Sequence, residues 1–176
     1  WDYSGYGHNG ADNGTVTWNA TGGFDGNGSY EFDGIDDAVN LGDVENMDAP
    51  GYLTIALWFK RDSDKTSEST NHGVDNVLIA QSSGAANDNI EIGTAGTKIE
   101  FYLDTLELDQ NDHNFEAGIQ DDQWYHLAFT YDKDAAYEMK IYLDGALVNY
   151  SSLWGGFMDS SSTSPLSIGL SRPESN

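Results

Sequence analysis

Trp124-Tyr125-His126-Leu127-Ala128-Phe129-Thr130-Tyr131 constrains this chain more than any other stretch. Tyr125, Leu127, Phe129 and Tyr131 fall on one face at period two, and His126, Ala128 and Thr130 on the other. That alternation predicts a strand with one face buried. Met139, Ile141 and Leu143 repeat it, and Asp144-Gly145 then supplies both φ > 0 positions of a two-residue hairpin turn. A hairpin with one apolar face is not stable alone, so other strands must cover it.

The remaining sequence offers those strands. Thr15 to Trp18, Ser29 to Asp33 and Asp37 to Leu41 read as short strands, with Gly34-Ile35-Asp36 as a tight hairpin turn between the last two. Leu53, Ile55, Leu57 and Phe59 alternate inward, with Trp58 on the opposite face. Trp58 and Trp124 lie in strands and are expected to pack. Val77 to Ala80, Ile90 to Ile92, Lys98 to Leu103, Thr105 to Leu108 and Leu166 to Gly169 complete the set. Arg61 to Gly73 and Asp109 to Asp122 read as long polar loops. No window keeps helical spacing beyond about two turns. Ten or more short strands divided by Gly, Asp, Asn and Ser turns predict an all-β, two-sheet antiparallel sandwich. With 176 residues and neither repeat nor linker, residues 1–176 are expected to form one domain.

Charge limits what such a sandwich can bind. Thirty acidic residues face seven basic ones, a net of −23, which disfavours nucleic acid and anionic membranes. No run of about 18 apolar residues suggests membrane insertion. Nothing resembles a signal peptide, and an opening Trp1 fits a mature product or an excised module. The chain has no cysteine, so thiolate chemistry and sulfur-bound zinc are excluded. The acids comprise 21 aspartates and 9 glutamates, a bias that suits loops. Short carboxylates in loops are the ligands that Ca²⁺ prefers, although most of these acids read as a hydrated surface for a salty medium. Either reading favours an extracellular setting.

The residues also carry a resemblance. Asp2-Tyr3-Ser4-Gly5-Tyr6-Gly7-His8-Asn9-Gly10 and Tyr30-Glu31-Phe32-Asp33-Gly34-Ile35-Asp36-Asp37-Ala38-Val39 resemble the opening of laminin-G-like domains of the concanavalin A-like lectin/glucanase superfamily. Leu53 to Lys60, Trp124 to Ala128 and Tyr142-Leu143-Asp144-Gly145 continue it in order. The resemblance implies a jelly-roll sandwich, similar to pentraxins. It also implies a closing strand after Ile168-Gly169, which the sequence to Asn176 does not show, so domain 1–176 is expected to lack its final strand.

Site candidates follow from both lines. By resemblance to pentraxins, Asp88-Asn89 beside Ile90-Glu91-Ile92 is expected to hold Ca²⁺ against a ligand, with Glu174 as a contributor from the C-terminal loop. A carboxylate beside an amide carbonyl gives two hard oxygens, and the competing reading is an Asx turn. Asp75-Asn76 repeats the pattern and is expected at the same end of the sandwich. Asp33 and Asp36, within Asp33-Gly34-Ile35-Asp36-Asp37, are candidates for a structural Ca²⁺, against a reading as turn chemistry. Trp154 and Phe157, in a Gly/Ser stretch, are the stacking candidates for the apolar face of a sugar.

Catalysis finds little support. Laminarinase-type glycosidases of this fold place carboxylates two apart on one strand, about 5 Å from each other for retention. In Glu31-Phe32-Asp33-Gly34-Ile35-Asp36 a glycine turn interrupts that spacing. His8, His72, His113 and His126 are scattered, and His126 reads as an ordinary strand residue. The expectation is an extracellular, non-enzymatic, calcium-dependent carbohydrate-binding module (a lectin or adhesin unit) within a larger multidomain protein. The alternatives are a protein-interaction or spacer module stiffened by calcium and, further off, a glycoside hydrolase.

Overall fold

The computed structural model of the chain describes residues 2, 4–44, 51–64, 76–82, 88–105, 112–152, 156–158 and 165–169, with backbone alone at Ser82, Asp88, Asp112 and His113. Among them there is no helix. Thirteen strands form: β1 Ala11–Asn13, β2 Thr17–Asn19, β3 Ser29–Glu31, β4 Ala38–Asn40, β5 Tyr52–Lys60, β6 Val77–Ser82, β7 Asp88–Ala95, β8 Lys98–Leu103, β9 Asp112–Glu116, β10 Trp124–Asp132, β11 Met139–Leu143, β12 Ala146–Ser151 and β13 Leu166–Ile168. They make a seven-stranded sheet ordered β1-β4-β13-β6-β7-β8-β9, a four-stranded sheet ordered β12-β11-β10-β5, and a two-stranded ribbon of β2 and β3. Every pairing is antiparallel. This is the jelly-roll sandwich that the alternation implies.

The core forms where the two larger sheets face each other. Tyr125, Leu127, Phe129 and Tyr131 of β10 are all buried and pack with Ile90, Ile92, Ile99, Phe101 and Leu103 from the opposite sheet. Each such side chain contributes about 1.5–3 kcal/mol by leaving water. β10 pairs with all nine residues of β5, from Trp124↔Lys60 to Asp132↔Tyr52. Asp144 and Gly145 turn the β11–β12 hairpin with φ of 50° and 80°, as the sequence predicts. The Asp144 carboxylate also accepts the His126 amide at 2.9 Å, so the turn is tied to β10 as well.

Several expectations need correction. Gly34-Ile35-Asp36 does not close a hairpin: β3 pairs with β2, whereas β4 pairs with β1 and β13. The glycine, at φ 71°, instead turns the chain from one sheet to another. Trp58 is not a core residue, being 45% exposed on the outer face of β5 with Phe24 stacked on it at 3.8 Å. That stack joins the loop of the β2–β3 ribbon to the sandwich. Trp124 is half-buried on the same outer face as Trp58. The acidic stretch after Asp109 contains a strand, β9, which pairs antiparallel with β8, and Ile119 just beyond it reaches the core.

Opposite ends of the sandwich follow from the registers. β6 runs from Val77, opposite Gly93, to Ser82, opposite Asp88, and Leu166 at the start of β13 lies opposite Gln81. One end therefore carries Ser82, Asp88, Leu103 and Leu166, and the other Val77, Ala95 and Lys98. At this second end Arg61, following β5, closes the structure. Its Nε donates to Asp121 at 2.7 Å, and its Nη1 to Asp64 at 3.2 Å, the Thr94 hydroxyl at 3.2 Å and the Gly96 carbonyl at 2.9 Å. Removing a guanidinium that is only 10% exposed leaves these acceptors without their donor. In urea denaturation, Arg61→Ala should cost about 2–4 kcal/mol. Asp121→Ala, which removes an acceptor whose side chain is 42% exposed, should cost under about 1 kcal/mol.

Candidate functional site

The first end of the sandwich carries Asn89, Phe157 and the backbone of Asp88. Asn89 opens β7 with its side chain fully buried. Its Nδ2 donates to Gln81 Oε1 at 3.1 Å, and its backbone carbonyl accepts the Asp104 amide at 3.0 Å. The side-chain oxygen, Oδ1, is buried with no hydrogen-bond partner among the described residues, as is Glu138 Oε2. Leaving such an oxygen unmatched costs about 1–3 kcal/mol, so a water or a ligand is expected to meet it. Asp88 precedes it, its backbone paired with Ser82; its carboxylate lies outside the described residues.

Phe157 belongs to the same end. Met158 bridges to Thr105, the residue after the Asp104 that bonds to Asn89. Tyr131, at the end of β10, donates its hydroxyl to the Gly156 carbonyl at 2.7 Å and so fixes the approach to Phe157. Met158 is fully buried, while Phe157 itself is 48% exposed. The Lys133 ammonium lies 5.0 Å from the Phe157 ring centroid and 5.7 Å from that of Tyr52. Asp134 completes the group: its Oδ1 pairs with Lys133 Nζ at 2.6 Å, and its Oδ2 accepts the Tyr52 hydroxyl. Gly51 makes room for this arrangement, since a Cβ there would stand 2.9 Å from the Lys133 stem. Trp154 and Glu174 lie outside the described residues.

Asp75 lies outside the described residues. Its neighbour Asn76 donates to the Thr94 carbonyl at 2.7 Å, at the end opposite Asn89. The six-residue β6 separates the two ends by roughly 17 Å.

Asp33, Asp36 and Asp37 converge at that second end, with one oxygen of each lying within 4.8 Å of the others. Much of this geometry is turn chemistry. Asp33 Oδ1 accepts the amides of Ile35 at 2.8 Å and Asp36 at 3.3 Å. Buried Asp37 accepts the Asp33 amide at 2.9 Å on one oxygen and the Thr15 amide on the other. Gly14 fits against it only because a Cβ would come within 2.4 Å of Asp37 Oδ1. Three hard oxygens this close also suit a calcium ion, provided backbone or water oxygens complete six to eight ligands. Asp37 was the member of this trio that sequence reasoning did not single out as a ligand. The Glu31 carboxylate accepts Asn19 Nδ2 at 2.8 Å on the ribbon, while Asp33 faces its own turn, so the two are engaged separately.

Comparison with known proteins fits this geometry. Residues 32–176 match the family model described as the concanavalin A-like lectin/glucanases superfamily, of laminin-G type. The chain belongs to that superfamily. No curated protein matches the sequence. Among solved structures, the binding domain of botulinum neurotoxin serotype D is similar, with TM-score 0.65, 18% identity, and coverage of 98% of this chain and 41% of that one. The binding domain of Paraclostridial Mosquitocidal Protein 1 gives TM-score 0.66 at 13% identity, covering 98% of this chain and 42% of that one. The receptor binding domain of botulinum neurotoxin C/D mosaic serotype gives 0.64 at 19%, covering 96% and 40%. At these identities the likeness is one of fold, and this superfamily member spans about two fifths of those chains.

The Tyr52–Lys133–Asp134 group also has an electrostatic signature. The hydrogen bond to Asp134, then its charge, pushes the Tyr52 phenol above the usual tyrosine range. Hydrogen bonds from Lys133 and then Tyr52 hold the Asp134 carboxyl below its usual range. A lowered acid contributes above the usual carboxylate range and loses its contribution as pH falls; a raised phenol contributes below the usual tyrosine value and loses it as pH rises through the folded value. The group is therefore intact between those limits. In an ultraviolet titration Tyr52 should ionise above an unpaired tyrosine, and Asp134→Asn should bring it back towards the ordinary value.

Proposed function

We propose that the chain is a non-catalytic, calcium-dependent carbohydrate-binding module, with its ligand site on the sandwich end that carries Asp88, Asn89 and Phe157. The observation that carries this reading is the buried, unpartnered Asn89 Oδ1. A hard carbonyl oxygen at the start of a strand, beside an aspartate, matches the donor chemistry of calcium. The donor set fits, with Asn89 and Asp88 as ligands and Glu174 as a further carboxylate from the C-terminal stretch. Calcium, when bound, supplies open coordination positions that vicinal sugar hydroxyls can fill. Phe157 offers ring surface for the apolar face of a sugar, as Trp154 would from the adjoining stretch.

The binding reading gains support from the similar toxin structures, which are themselves binding domains. An extracellular setting suits a ligand ion that is abundant outside cells, and membership of the superfamily is in keeping with it. No helix among the described residues is long and apolar enough to cross a membrane. With a net charge of −23, a neutral glycan is a better partner than a polyanion. A larger parent protein fits the modest share of the similar structures that the chain covers.

A second reading is favoured by the convergence of Asp33, Asp36 and Asp37: calcium stiffens the sandwich, and the chain serves as a spacer or protein-interaction module. Thermal melts and glycan-array binding with and without calcium separate the two. For one site, calcium at a hundredfold excess over its Kd should stabilise the fold by about 2.7 kcal/mol. Asp88→Asn should abolish glycan binding and remove only part of that gain. Asp33→Asn with Asp36→Asn keeps the turn acceptors, so it should lower the calcium-dependent gain and leave glycan binding intact. Array silence from a folded, calcium-loaded chain contradicts the first reading; an unchanged melt on adding calcium contradicts both.

A further inference from the structure

We propose that Tyr52, Lys133, Asp134 and Phe157 form a stacking subsite for a neutral pyranose, extending the ligand site beyond the calcium ligands. The inference rests on the carbohydrate-binding reading and adds the residues that would contact a second part of the glycan. Sequence reasoning pointed only to Phe157. The signal for the others is local: an Asp-Lys-Asp turn after β10, and a tyrosine opening the strand that β10 pairs with.

Tyr52 is 62% exposed and Phe157 48%, yet neither ring is left to sample its rotamers. Tyr52 is held through its hydroxyl on Asp134, while the backbone before Phe157 is tied by the Gly156 carbonyl to Tyr131 and its ring is met by the Lys133 ammonium. Lys133 sits against both rings, with its amide on the Gly51 carbonyl at 3.0 Å and its stem passing close over Gly51. The turn is fixed in its own right, because Asp132 accepts the Asp134 amide at 3.0 Å and the Ala135 amide at 3.1 Å. Immobilising exposed side chains costs conformational entropy and returns little burial. Such an arrangement stabilises a complex chiefly by being arranged before the ligand arrives.

The chemistry selects the ligand class. Two ring surfaces suit the CH face of a pyranose, while the ammonium donates and the carboxylate accepts, a pair that can meet adjacent hydroxyls. Lys133 is one of seven basic residues against 30 acids, and Asp134 neutralises it at 2.6 Å. The site thus adds no positive field to a surface of charge −23, and a uronic or sulfated sugar gains nothing there. The Met158–Thr105 bridge, next to the Asp104 amide that bonds to the Asn89 carbonyl, puts the subsite on the same end of the sandwich as Asn89.

The test is an array of neutral hexose, amino-sugar and uronic-acid oligosaccharides, read with the calcium-loaded chain. Wild type, Phe157→Ala, Tyr52→Ala, Lys133→Met and Lys133→Arg are compared, and the calcium Kd is measured for each. For the neutral oligosaccharides that bind wild type, Phe157→Ala and Tyr52→Ala should each weaken binding about tenfold. Lys133→Met should weaken it several-fold, Lys133→Arg should restore most of it, and the calcium Kd should stay constant throughout. Glycan binding that survives both ring substitutions but is lost in Asp88→Asn overturns the subsite and leaves the module reading standing. A preference for uronic acids overturns the neutral assignment. Silence from wild type itself overturns the module reading, and the subsite with it.

Discussion

The β5–β10 ladder is the interaction on which the rest of the structure depends. Nine residues of each strand pair in register, and the inward side chains of β10 are the most completely buried set in the smaller sheet. A one-residue slip would turn Tyr125, Leu127, Phe129 and Tyr131 out to solvent and His126 and Thr130 into the core. That penalty fixes the register, and the register fixes what stands at each end. Arg61 follows β5 at one end, where it reaches the turn after β7; Tyr52 and Tyr131 stand at the other, with Asn89 and Phe157.

The two ends do different work from similar materials. At the Arg61 end, carboxylates are satisfied internally: Asp64 by Arg61 and Asn76, Asp37 by the amides of Thr15 and Asp33. At the Asn89 end a buried oxygen is left without a hydrogen bond, and two aromatic rings remain half in water. Internal satisfaction is what a structural closure requires. An unmatched oxygen and fixed exposed rings are what a binding surface requires. The distinction between the ends, more than the number of acids, is what points to function.

Much of the fold was legible because strand alternation and turn chemistry are local. Tyr125 to Tyr131, Met139 to Leu143 and the Asp144-Gly145 turn could each be read from a few residues. What failed depended on distant pairing. Gly34-Ile35-Asp36 looks like a hairpin, but the flanking strands join different sheets. Asn76 and Asn89 each follow an aspartate in sequence, yet the length of β6 separates the ends to which they belong. Trp58 was expected to pack as a strand residue, and it is the loop of a separate ribbon, through Phe24, that partly covers it on the outer face. In the site, Asn89 and Phe157 could be singled out by residue type and context. Lys133 and Tyr52 could not, because 81 residues separate partners that only the β5–β10 register brings together.

The central claim is that Asn89 Oδ1 is a ligand atom kept without an internal partner. A crystal structure of the chain grown with calcium tests it most directly. The account predicts an ion coordinated by Asn89 Oδ1 and Asp88, with at least one coordination position open to solvent at the end that carries Phe157. An Asn89 oxygen hydrogen-bonded within the protein, with calcium absent from that end at saturating concentration, would contradict it.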